Sequence, residues 1–268
     1  MSCSAVASVK TIGLIGAGHL AGYLLEGLGR ADAGFSYLLA DPCEDRGREL
    51  ARKCGGRYVA ANQEAVTHAD LVILAVRPAD VTAALVDLDF QPHQWLVSVA
   101  AGVELDRLNS LAAPAQVVRA LPIACAAVNQ SPTLIHPPAP PVEELFKHLG
   151  TVHVLEDEAG FTPGTALVGA LFAWMIPLMD QLAQWTEEQH IAPDTARALV
   201  QETLAGSCAL AQSRPDLPLS QIWETLATPG GISEHGAQIL EDAGAFAAFS
   251  QALSAVTKQM KSQNQDQE

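Results

Sequence analysis

The sequence predicts an α/β half built on a doubly wound parallel sheet, followed by an all-helical half. Three observations carry that prediction. Short apolar runs alternate with amphipathic stretches through the first part of the chain, the pattern of a parallel sheet covered by helices. A glycine-rich turn joins the first apolar run to the first amphipathic stretch. After Gly160 no strand signal recurs, and apolar residues fall at helical spacing through Leu167, Leu171, Trp174, Leu178, Leu182 and Trp185. The length of 268 residues suits one domain of about 150 residues plus a smaller one, divided between residues 158 and 159.

In order, Lys10 to Ile15 reads as a strand and Leu20 to Leu28 opens a helix. Tyr37 to Ala40 is the second strand, followed by a polar helix through Arg46, Glu49 and Arg52. Tyr58 and Val59 precede another helical segment, and Leu71 to Val76 is an uninterrupted apolar run of the kind a central parallel strand needs. Leu96 to Val99 and Gln116 to Arg119 continue the series before a turn at Pro122. Pro137 to Pro141 reads as a rigid surface connector, and Val152 to Leu155 as a last edge strand. In the second half Pro193 stands at the first turn of a helix, and further helices are predicted over Ser220 to Leu226, His235 to Glu241 and Phe246 to Met260, with a frayed polar tail after Lys261.

Composition narrows the function classes. Hydrophobic residues make up 49% and charged residues 17%, the balance of a globular chain. The formal charge of −15 disfavours a nucleic-acid partner or an anionic membrane surface, because both require clustered Lys and Arg. Cys3, Cys43, Cys54, Cys125 and Cys208 are odd in number and widely spaced, with no metal-ligand spacing, and read as reduced thiols in a cytoplasmic protein. Met1 to Lys10 lacks the pattern of a signal peptide. Gly160 to Met179 is uncharged and long enough to suggest a membrane span. Pro163 and Pro177 interrupt it and its flanks are acidic, which favours a buried helix at a subunit interface.

Gly16-Ala17-Gly18-His19-Leu20-Ala21 follows a strand and opens a helix, the context in which a G-x-G-x-x-A run signals a Rossmann dinucleotide site. The first glycine permits the tight turn. The second lets the backbone approach a pyrophosphate seated on the free N–H groups of the helix N-terminus. Asp41 ends the second strand, where a carboxylate can accept hydrogen bonds from the adenosine ribose and repel a 2′-phosphate, or can simply cap the next helix. Arg46 and Arg48 follow closely, and an arginine there can pair with the 2′-phosphate of NADPH. The cofactor is therefore NAD(P)H, with NADH and NADPH both open.

A second constellation is Thr228-Pro229-Gly230-Gly231-Ile232-Ser233 ahead of a helix. Gly230 and Gly231 supply exposed backbone N–H groups able to hold a carboxylate, with the Ser233 hydroxyl as a further donor. The plainer alternative is a glycine loop with Ser233 as a helix cap. His235 could donate a proton, although a lone helical histidine is more often a surface or packing residue.

These residues carry a resemblance. Gly13-Leu14-Ile15-Gly16-Ala17-Gly18, Leu74-Ala75-Val76-Arg77-Pro78, Ser98-Val99-Ala100-Ala101-Gly102, Val118-Arg119-Ala120-Leu121-Pro122 and Pro229-Gly230-Gly231 stand in the order and spacing of pyrroline-5-carboxylate reductases. The chain resembles that family, which reduces a cyclic imino acid to proline, over nearly its whole length. The resemblance implies that Asn62 contacts the adenosine half of the cofactor and that Ala75, Val76, Arg77 and Pro78 line its crevice. It also implies that Gly230, Gly231, Ile232 and Ser233 hold the substrate carboxylate, with Ser233 the one side chain acting directly on substrate, and that the C-terminal helices form a homodimer or larger homo-oligomer. The departures fall on the substrate side: Leu121-Pro122-Ile123-Ala124-Cys125 replaces the family's Met-Pro-Asn-Thr-Pro, and Gly169-Ala170-Leu171-Phe172 replaces its Ser-Gly-Ser-Gly-Pro turn.

The expected activity is NAD(P)H-dependent reduction of a cyclic imino acid, with no metal. The alternatives are a related reductase for another imine or a hydroxy acid, and a dinucleotide-binding protein without turnover. The hydroxy-acid chemistry is disfavoured because Gly160 to Trp185 contains no lysine.

Overall fold

The computed structural model describes residues 9–265. The opening segment with Cys3, on which the signal-peptide reading rested, and the last three residues of the polar tail lie outside the described residues. Two compact units result: one reaches to Val168 and takes in the described residues from Met260 on, and the other is Gly169–Gln259.

The first unit is an eight-stranded sheet in the order β3-β2-β1-β4-β5-β6-β7-β8. Its strands are β1 Thr11–Ile15, β2 Ser36–Ala40, β3 Arg57–Val59, β4 Leu71–Leu74, β5 Trp95–Ser98, β6 Gln116–Leu121, β7 Ser131–His136 and β8 Gly150–Val154. The first six pair in parallel, β6 and β7 pair antiparallel, and β7 and β8 again pair in parallel. The order β3-β2-β1-β4-β5-β6 is that of a dinucleotide-binding sheet, with its topological switch between β1 and β4.

Period-two alternation sorts the side chains onto two faces. Ile12, Leu14, Leu71, Ile73, Val97 and Val118 join Leu24, Leu25 and Leu28 of α1 (His19–Arg30) in one cluster, with Ala51 of α2 (Glu44–Cys54). Ile15, Val72, Leu74, Leu96 and Val117 face the other way. They meet residues of α3 (Asn62–Thr67), α4 (Val81–Leu85) and α5 (Leu105–Ala112).

The segment after Pro122 departs from the sequence expectation. Ser131–His136 is a strand, and Pro140 and Pro141 open α6 (Pro140–Lys147) instead of forming a connector. Prolines at a helix start lose no hydrogen bond and preset φ, so the run that looked rigid and exposed nucleates a helix whose Val142, Leu145 and Phe146 are buried.

A short α7 (Phe161–Thr165) and a π-helical turn at Ala166–Leu171 lead into α8 (Phe172–Glu188). The second unit continues with α9 (Pro193–Gln212), α10 (Leu219–Leu226) and α11 (Ile232–Asp242). The last helix, α12 (Ala245–Gln265), runs past Lys261 into the polar tail: from Phe246 on the sequence holds no glycine or proline to stop a helix. No residue of α8 is buried within the chain, and Trp185 is 61% exposed.

One contact in the first unit leaves no room for adjustment. A Cβ on Gly27 would lie 2.0 Å from the Ala126 carbonyl oxygen and 2.7 Å from Leu149 Cδ2, because α1 packs directly on the backbone turn at Ala124–Val128. Asn129, at φ 57°, holds that approach by donating from Nδ2 to Gly27 O at 2.8 Å and His148 O at 2.7 Å. Gly27→Ala is expected to destabilise the protein by at least the roughly 1–3 kcal/mol typical of overpacking. A chemical-denaturation midpoint equal to the wild type's would contradict this contact.

Candidate functional site

The first candidate site lies at the switch between β1 and β4. After β1 the chain turns at Gly16, whose φ of +99° suits glycine and whose added Cβ would press on the Ala75 carbonyl at 2.6 Å. Gly16 N–H donates to Ala40 O at 2.9 Å and Ala75 N–H to Ile15 O at 2.8 Å, so the ends of β1, β2 and β4 are laced together here. Gly18 is the N-cap of α1, and a Cβ built on it meets nothing within 4 Å. The backbone at the start of α1 therefore faces open space, with the unpaired first-turn N–H groups and positive end of the helix dipole directed at it.

This open space is a groove that gathers most residues singled out from sequence. Gly16, Gly18, Asp41, Asn62, Ala75, Val76 and Arg77 all line it. A cradle bare of side chains, at a helix N-terminus and at the switch point, fits the pyrophosphate of a dinucleotide. Ala17 and His19 line an adjoining depression between α1 and α2, together with Gly18 and Arg46. Leu20 lines neither; it packs against the core. Asn62 Nδ2 donates to Ala84 O at 3.0 Å, tying α3 to α4 along the groove wall. Sequence reasoning did not single out Asp80, Ala83 and Ala84, which also line the groove. Alanines at a helix start carry no chemical signal, and Asp80 is found only through its partner Arg77, at 2.7 Å.

Asp41 is bound differently from the expectation. It is 4% exposed, and both carboxylate oxygens are occupied by the chain itself. Oδ2 accepts from Ala17 N–H at 2.7 Å and Arg46 Nε at 3.3 Å, and Oδ1 from Cys43 N–H at 2.8 Å and Arg46 Nη2 at 2.7 Å. Burial alone would raise its pKa, but the Arg46 hydrogen bonds, the two backbone N–H donors and the Arg46 charge together hold it below the usual value. Arg48, the other arginine considered for a 2′-phosphate, pairs with Glu44 at 2.6 Å and lies over the Tyr58 ring at 5.0 Å.

The second candidate site belongs to the helical unit. Gly231 is the N-cap of α11, so Ser233 stands in the first turn and is not the cap. The expectation that both glycine N–H groups are open donors does not hold. Gly230, at φ +74°, turns its N–H onto the Glu234 carboxylate at 2.7 Å, and Gly231 N–H closes a turn on Thr228 O at 2.8 Å. The first bond inside the helix is His235 N–H to Gly231 O, which leaves the Ile232, Ser233 and Glu234 N–H groups ahead of it as the first-turn donors. Ile232, Ser233, Glu234 and His235 are all exposed within the chain.

A doubly wound sheet with a bare glycine cradle at its switch point, followed by a helical half, defines a nicotinamide-dinucleotide oxidoreductase of two domains. Residues 11–102 match the family model described as NADP oxidoreductase, coenzyme F420-dependent, and residues 158–263 match that described as pyrroline-5-carboxylate reductase dimerisation. The pyrroline-5-carboxylate reductase of Mycobacterium leprae is 30% identical over 271 residues, covering 89% of this chain and 92% of the relative. That of Pseudomonas aeruginosa is 29% identical over 265 residues, covering 94% and 96%. The crystal structure of the Streptococcus pyogenes 1-pyrroline-5-carboxylate reductase superposes with a TM-score of 0.83 at 26% identity, covering 95% of this chain and 99% of the other. The chain belongs to the pyrroline-5-carboxylate reductase family, and its helical half is the dimerisation domain of that family.

Gly18→Val should leave the fold intact, because a Cβ at this position meets no atom within 4 Å, and should abolish NAD(P)H binding by filling the phosphate position. Retained NAD(P)H fluorescence enhancement in a folded Gly18→Val protein would remove the groove as the cofactor site.

Proposed function

We propose that this chain is an NAD(P)H-dependent reductase of a cyclic imino acid, converting 1-pyrroline-5-carboxylate to proline. The observation that carries this reading is the glycine cradle at the β1/β4 switch in a chain of this family. When bound, NAD(P)H supplies the hydride that reduces the carbon of the C=N bond. The chain's own tasks are binding and positioning. Gly16 to Gly18 and the start of α1 hold the pyrophosphate, while Asn62 and Ala75 to Arg77 wall the groove. The substrate carboxylate is held at the start of α11 by the Ile232 and Ser233 N–H groups and the Ser233 hydroxyl, with Glu234 swinging off to open the Gly230 N–H. A substrate already protonated on nitrogen needs no further acid, which suits a site where Ser233 is the one polar side chain proposed to touch it.

We also read the chain as a cytoplasmic homo-oligomer acting on a small molecule, with no nucleic-acid or membrane partner. The charge of −15 supports the first exclusion. Glu158–Glu188 is long and apolar enough to cross a membrane, its most apolar window having mean hydropathy 1.5 with 6% of it buried within the chain. Its match to a dimerisation family and its internal Pro163 and Pro177 favour a subunit interface for that apolar face.

Two measurements check these readings. In a panel of cyclic imines, Ser233→Ala should lower kcat/KM about ten- to a hundredfold for carboxylated substrates, the value of one hydrogen bond to a charged group, and barely affect analogues lacking the carboxylate. An equal loss for both would make Ser233 a structural or proton-transfer residue. For assembly, light scattering at micromolar concentration should give a dimer or larger particle, weakened by Trp185→Glu. A stable wild-type monomer would contradict the interface.

A further inference from the structure

The residues around Asp41 decide which nicotinamide cofactor the groove accepts, an inference that rests on the dinucleotide reading of the groove. An ionised carboxylate offers about four acceptor positions. Those of Asp41 are taken by Ala17 N–H, Cys43 N–H and two nitrogens of Arg46, and its side chain is 2% exposed. It has no remaining capacity for the two ribose hydroxyls of NADH. Its charge, which would otherwise repel a 2′-phosphate, is offset by the guanidinium it holds.

Arg46 gains what Asp41 gives up. The carboxylate grips one edge of its guanidinium, through Nε and Nη2, and the side chain remains 54% exposed on the rim of the groove. The rest of a rigid, planar, always-charged fork is thus aimed by a buried strut rather than left to wander. Arg77 lines the same groove from the segment after β4, 85% exposed, with its Nε fixed to Asp80 Oδ2 at 2.7 Å. The two cations are near enough to sense each other: Asp80 raises the Arg77 pKa above its ordinary value, and the Arg46 charge works against that. Each guanidinium keeps exposed donors beyond those its carboxylate partner takes, and two such forks lining one groove suit an anionic ligand between them. A phosphomonoester dianion is the group that matches two guanidiniums.

We infer that Arg46 and Arg77 clamp the 2′-phosphate of NADPH, with Asp41 acting as the positioning residue that aims Arg46, so that the enzyme selects NADPH over NADH.

Direct binding tests this without turnover. Calorimetric Kd values for NADPH, NADH, 2′,5′-ADP and 5′-AMP should show NADPH and 2′,5′-ADP each bound about tenfold or more tighter than the partner lacking the 2′-phosphate, an advantage that shrinks as salt is added. Arg46→Gln and Arg77→Gln should each cut the NADPH-to-NADH affinity ratio about tenfold or more. Arg77→Gln leaves the Asp41 bonds intact, which separates loss of the clamp from loosening of the glycine turn. Asp41→Asn should also lower the ratio, by releasing Arg46, whereas a ribose-accepting Asp41 would make the same change raise it. Equal affinity for the two cofactors, or ratios unmoved in both arginine variants, would overturn the clamp while leaving the dinucleotide reading standing. Failure of both dinucleotides to bind the wild type would overturn the clamp and the dinucleotide reading together.

Discussion

The cofactor edge of the sheet depends on one buried carboxylate. A charge as deeply placed as Asp41 is costly unless it is both hydrogen-bonded and paired, and here every acceptor position is met. Its donors come from the turn after β1 and from the start of α2, so one group at the end of β2 fixes two loops at once. With Gly16 N–H on Ala40 O and Ala75 N–H on Ile15 O, three strand ends are held in register where the chain must leave room for a ligand. The cradle is rigid because its supports are buried, and open because its own residues are glycines.

The opposite flank uses the same device. Arg119 on β6 is 7% exposed, pairs with Glu158 and places its guanidinium 4.5 Å from the Phe161 ring centre. Glu158 also accepts from Leu105 N–H at 2.8 Å. A charged pair on an inner strand thus anchors both the turn before α5 and the turn before α7. Gln94 plays the uncharged version, donating to Val66 O and Ala69 O and accepting from Gln91 N–H, so that α3 is tied to the loop before β5. In this unit, deeply buried polar groups hold loops.

That habit explains where sequence reading succeeded and where it failed. The strands β1, β2, β4, β5 and β6 were legible from their apolar runs, whereas β3, only Arg57–Val59, was read no further than as the stretch before a helix, and Gly16 and Gly18 were legible because their spacing has a physical cause. β7 was missed because Ser131, Pro132 and Thr133 look like turn residues, though Ser131 and Thr133 are fully buried and share a hydrogen bond at 3.2 Å. Helix α6 was hidden behind prolines that mark its start. Asp41 and Arg46 were found, but their division of labour was not, because a strand-end carboxylate that receives a ribose and one that receives its own backbone are identical in sequence. Only the distances from Ala17 N–H and Cys43 N–H separate the two.

The contrast between Asp41 and Glu234 carries this one step further. Both are carboxylates on backbone N–H groups next to glycines at the start of a helix. Asp41 is buried, has four donors and balances a cation, so removing it from that place leaves polar groups unpaired in a dry environment. Glu234 is exposed and its carboxylate takes one bond, from Gly230 N–H, which water can replace at little cost. The first is a fixed part of the scaffold. The second is an anion standing provisionally on donors that suit an anion, so the turn at Gly230 displays in its own sequence the chemistry of the group proposed to displace it.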